Sequence, residues 1–180
     1  MKAIVFDTNF LYESLGDINP IILKLIDKGF TPYLTQIAVD ERVAQKIKKI
    51  NEKYDQLCSI KNELNRFVQI EVPKIEDSCY TTLTNDTFNE YSVIFKGNII
   101  PMLKKENLLH IVFKRACYKI PPFINESNSD KGFKDTLMWL SIVDFFKNKS
   151  DTLSEVIFIE NCKCKLDTCT VEISKSERRE

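Results

Sequence analysis

The chain alternates short unbroken apolar runs with longer stretches in which apolar residues return every three or four positions. AIVF (3–6) has no polar alternation, the pattern of a strand covered on both faces. NPIILKLIDKGF (19–30) predicts an amphipathic helix, with Pro20 in its first turn and Gly29 as its C-terminal stop. TPYLT (31–35) predicts a second strand. From residue 36 to about 67 a long helical stretch is expected, with Ile37, Val39, Val43, Ile47 and Ile50 at helical spacing; the stripe thins near Tyr54, which leaves room for a break or a second helix there. VQIEVP (68–73) reads as a short extended piece closed by Pro73.

Helices are expected over 85–95 and 101–118, then a polar loop, IPPFINESNSDKG, with adjacent prolines. Residues 131–147 predict another helix, its apolar face built from Phe133, Leu137, Leu140, Ile142, Val143 and Phe146, with Trp139 in the core. EVIFIEN (155–161) is a buried-type strand, TVEIS (170–174) a candidate edge strand, and KSERRE a charged end. The expected organisation is one domain over 1–169, followed by a short strand and tail over 170–180. Strand–helix alternation at both ends argues for a three-layer α/β fold with a central, mainly parallel sheet flanked by helices. In such sheets the site lies at the carboxyl ends of the strands.

Composition narrows this picture only a little. Lys+Arg and Asp+Glu both total 26, so any nucleic-acid footprint must be local. Four glycines against twelve phenylalanines favour long regular elements over a turn-rich sandwich. The apolar run after Lys2 is too short for a signal peptide, and no stretch approaches a membrane span. The expectation is therefore a cytoplasmic protein with no membrane partner, its six cysteines reduced. Cys58, Cys79 and Cys117 read as small core residues. Cys162, Cys164 and Cys169, in CKCKLDTC, lack the paired spacing or nearby histidines of a zinc site, His110 being remote and assigned no catalysis.

Acids carry the chemistry. Asp7 follows the first strand directly, where it can cap a helix or bind a cation, and the residues around it leave both open. Glu41 lies in the first turns of the helix after the second strand; Asp40 points about 100° away on a helix, and the flanking Val39 and Val43 favour Glu41 for the cleft. Asp135 sits early in a helix of otherwise apolar faces, with Asp130 better placed as that helix's N-cap. Glu160, Asn161 and Asp167 follow the last buried strand. Carboxylates converging from separate strand ends repel unless a divalent cation lies between them, and oxygen-only ligands suit Mg2+ or Mn2+. Phosphoryl chemistry is the usual purpose of such a site.

Strand then DTN, an acid after the second strand, Asp on a late helix and a strand followed by FIEN: this order resembles the PIN domain family of metal-dependent nucleases, from Met1 to about Asn161. KIPPFINESNSDKGFKDTLMWLSI is similar to a bacterial PIN-like branch in which Pro-Pro-Phe precedes a Gly-Phe-x-Asp-x-x-x-Trp helix. The resemblance implies an endoribonuclease that hydrolyses phosphodiester bonds with metal-activated water, in a stress or defence role. It assigns Asp7, Glu41 and Asp135 as metal-binding catalytic acids, and Thr8 and Asn9 as the polar pair supporting the first of them. Asn161 matches the polar position after the last strand. The family's further Asp has no exact counterpart: FIENCKCKLDTC offers Asp167 or Glu160.

Single-stranded RNA is the implied partner, with Lys46, Arg115, Lys131 and Lys134 as phosphate contacts; an inhibitory protein and a homodimer are further partners the resemblance leaves open. The departure after the last strand keeps a second reading alive, a PIN-like module that binds RNA or protein without cutting. A haloacid-dehalogenase-like phosphatase also begins with a strand and Asp, but needs a second Asp where this chain has Asn9.

Overall fold

The computed structural model describes residues 2–12, 15–118, 120, 132–147, 149 and 154–159. The first apolar run forms β1 (Lys2–Phe6), and Ala3, Ile4, Val5 and Phe6 are all buried, so both faces of the strand are covered. It is flanked by β2 (Phe30–Thr35) and β4 (Glu155–Ile159), with the two-residue β3 (Ile99–Ile100) beyond β2. All pairings are parallel and the order is β3-β2-β1-β4. The chain builds outward from β1 through β2 to β3, then returns to the other side of β1 for β4. That reversal puts the crevice of a parallel sheet at the carboxyl end of β1.

The register shows which helices form the outer layers. Val5 pairs with Tyr33 and Phe158, so these three side chains share one face. Helix α5 (Phe133–Lys147) covers it: Tyr33 meets Phe145 and Phe146 edge-on, and Trp139 meets Phe158. Phe6 pairs with Leu34 on the other face, where it stacks on Phe10 at 4.3 Å and meets Phe95 edge-on at 5.7 Å. Phe95 closes α3 (Asp77–Ile94), which packs on α2 (Gln36–Leu64), while α1 (Leu15–Asp27) packs on β2. The result is a three-layer α/β fold with, among the described residues, five α-helices around an all-parallel four-stranded sheet, α4 (Leu108–Cys117) packing against α5.

Several expectations are corrected. α2 runs unbroken through Tyr54, where its backbone ladder continues with α3 packed alongside and Lys48–Glu52 and Lys53–Gln56 contacts lie along its surface. α3 begins at Asp77, eight residues before the expected start, its polar DSCYTT opening held by Tyr80 donating to Asn51 of α2 at 2.6 Å. Residues 101–107 are not helical: Leu103 N–H is spent on Ser141 Oγ (2.9 Å), and α4 starts at Leu108. Cys58 is half-buried and Cys79 and Cys117 are exposed, on helix faces turned from the core, and all three are free thiols. Trp139 is 45% exposed because its partner Phe158 lies on the edge strand β4. The candidate strand 170–174 and the cysteines of CKCKLDTC lie outside the described residues. Among the described residues no helix is long and apolar enough to cross a membrane.

Candidate metal centre

The Asp7 amide donates to the Ile159 carbonyl at 3.2 Å, carrying the β1–β4 pairing one residue past the strand. The chain then turns into a 3-10 helix (Thr8–Tyr12), opened by Phe10 N–H donating to the Asp7 carbonyl at 3.1 Å. Phe10 and Leu11 are buried and anchor this turn, so the Asp7 backbone is held on both sides. Asn9 Nδ2 donates to Asp7 Oδ2 at 2.9 Å, fixing the carboxylate as well.

Glu41 is positioned by a junction without a loop. β2 ends at Thr35, and Thr35 Oγ1 at once caps α2 by accepting from Ala38 N–H at 3.1 Å. With Ile37, Ala38 and Val39 buried, the second turn of α2 presents Glu41 toward the end of β1. Thr8 is buried, and its hydroxyl donates to Glu41 Oε2 at 3.0 Å. Sequence reading paired Thr8 with Asp7; in the fold Asn9 supports Asp7 and Thr8 reaches across to Glu41. The other Glu41 oxygen, Oε1, is ion-paired with Lys134. Asp40 faces elsewhere, into a groove of about 490 Å³ between α2 and α3 that Gln36, Asn85 and Phe88 also line.

Asp135 arrives from a third element. Gly132 has φ +108°, a conformation that side-chain-bearing residues rarely adopt, and its carbonyl takes Thr136 N–H at 2.9 Å to open α5. Asp135 therefore lies in the first turn, immediately after Lys134. Partial burial holds its carboxyl above the usual range, the charges of Asp7 and Glu41 push it further the same way, and Lys134 opposes them. Carboxylates from the β1 terminus, α2 and α5 thus share one electrostatic field at the switch point of the sheet. The family model of the PIN domain matches the chain over residues 4–161. This chain belongs to the PIN domain family. No curated protein and no solved structure matches it.

PIN domains are in general metal-dependent nucleases. The donor set of this PIN domain is chemically suited to a hard divalent cation: three carboxylates from separate elements, with an amide behind Asp7 and a hydroxyl behind Glu41. Among the described residues, no group of three His, Cys, Asp or Glu is drawn together closely enough to hold a metal ion. Both Glu41 oxygens are occupied, one by Thr8 and one by Lys134, so ligation through Glu41 requires the ammonium to move.

The other sequence-derived candidates fall in different places in the PIN domain. Lys46 is engaged with α3, donating to Thr87 Oγ1 at 2.9 Å and pairing with Glu90 at 3.5 Å. Arg115 is half-buried in the last turn of α4. Lys131, Glu160, Asn161 and Asp167 lie outside the described residues. The Thr8–Glu41 bond and the Lys134–Glu41 pair had no local signal, since they join positions 33 and 93 residues apart.

Proposed function

We propose that this PIN domain is an endoribonuclease dependent on Mg2+ or Mn2+, cutting single-stranded RNA at the carboxyl end of β1. The observation that supports it most is the shared field of Asp7, Glu41 and Asp135, contributed by three elements and felt at Asp135. In this reading the three carboxylates hold the cation, which when bound supplies phosphate polarisation and an activated water. Asn9 fixes the Asp7 carboxylate, and Thr8 fixes one oxygen of Glu41, so two of the three acids are oriented before any substrate arrives. The family resemblance further assigns a fourth carboxylate to Asp167 or Glu160 and a supporting polar role to Asn161. Lys131, Arg115 and Lys134 approach the phosphate backbone, Lys134 once it is released from Glu41, while Lys46 braces α3.

The test is cleavage of single-stranded and hairpin RNA by the purified protein in Mn2+ or in EDTA, beside an Asp7→Asn, Asp135→Asn double variant. Cutting that requires Mn2+ and disappears in the double variant is expected. Cutting that survives the double variant sinks the proposal. Retained RNA binding without any cutting replaces it with the non-cleaving module.

A further inference from the structure

We infer that Lys134 is the resident counter-cation of the acid rim: its ammonium occupies Glu41 and must be displaced before a divalent cation binds. This rests on the reading that Asp7, Glu41 and Asp135 receive the cation. Lys134 Nζ contacts Glu41 Oε1, the one Glu41 oxygen that Thr8 leaves open. It comes from the residue before Asp135, so the same turn of α5 delivers one acid and the charge that offsets the acids.

The two partners differ in freedom. The Glu41 side chain is 23% exposed, held by Thr8 and by the rigid start of α2, whereas that of Lys134 is 59% exposed. The more exposed lysine is therefore the partner that moves, and the carboxylate stays where it is. An ammonium and a dication cannot share one carboxylate edge at contact distance without strong repulsion. Lys134 thus offsets the charge of Glu41 in the metal-free protein and weakens metal binding by competing for that carboxylate. Self-repulsion among the acids is thereby reduced until the ion arrives.

The experiment is Mn2+ titration by calorimetry, with thermal melting in EDTA, on the wild type, Lys134→Gln, Lys134→Arg and the Asp7→Asn, Asp135→Asn double variant. Lys134→Gln is expected to bind Mn2+ on the order of tenfold more tightly than wild type. It is also expected to melt lower in EDTA and to gain more from Mn2+. Lys134→Arg keeps the charge and stays near wild type in both readouts. Equal or weaker Mn2+ binding by Lys134→Gln overturns the inference and leaves the metal centre standing. Failure of the wild type to bind Mn2+, or undiminished binding by the double variant, overturns both.

Discussion

The two halves of α2 are made of similar sequence and do different work. Over its first turns Ile37, Ala38, Val39 and Val43 are buried against the sheet and the 3-10 helix, and this burial aims Glu41. Over its second half Ile50, Leu57, Ile60 and Leu64 keep the same kind of spacing but stay exposed, Ile60 at 53%. There the helix is sustained by its own ladder, by side-chain pairs along it and by α3 alongside. A regular apolar stripe thus guarantees a helix but not a core. What separates the halves is the presence of a sheet to pack against.

Matched substitutions would break that comparison most visibly. Val39→Asp places an unpaired carboxylate in a site 1% exposed, and a loss of about 3 kcal/mol or more is expected, against less than about 0.5 kcal/mol for Ile60→Asp. Urea melts followed by circular dichroism would read both. Equal losses would mean that the distal half is as well packed as the proximal one.

The next effect joins stability to chemistry. Thr8→Val removes the hydroxyl that fixes Glu41, and should cost about 1 kcal/mol together with about a tenfold drop in Mn2+-dependent cleavage. Unchanged cleavage would show that Glu41 is oriented by α2 alone. Thr35→Ala removes the cap where β2 becomes α2, for an expected loss of about 1 kcal/mol, or roughly 2–4 °C in melting temperature. The smallest change belongs to the distal half: Lys48→Ala breaks an exposed pair with Glu52 and should shift stability by no more than about 0.5 kcal/mol. A larger shift there would mean that surface pairs, rather than backbone regularity, hold the projecting helix.

The legible parts of the sequence were those with a strong local pattern. The apolar runs of β1 and β4 announced buried strands and TPYLT a short strand between helical stretches, and the parallel sheet followed from the helices between them. β3 escaped because Ile99 and Ile100 are too few to set a period, and they pair only through the tertiary approach to Leu34 and Thr35. The first turns of α3 escaped because threonine-rich polar sequence favours helix weakly, and packing against α2 overrides that preference. Of the site, Asp7, Glu41 and Asp135 could be nominated from their positions after strands and at a helix start. How they are braced could not, because Thr8 and Lys134 meet Glu41 only once three distant elements have assembled.

The loop-free junction between Thr35 and Gln36 also constrains how this gene can vary. One helix register serves both the rim acid and the core, so neither can be adjusted alone. A one-residue insertion there would bring Gln36 and Arg42 to the places now filled by Ile37 and Val43, both buried. A one-residue deletion would set Arg42 where Glu41 now points and Asp40 where Val39 packs. Drift in length at this point is therefore penalised by misfolding before it can alter chemistry, and selection for a folded chain alone preserves the aim of Glu41.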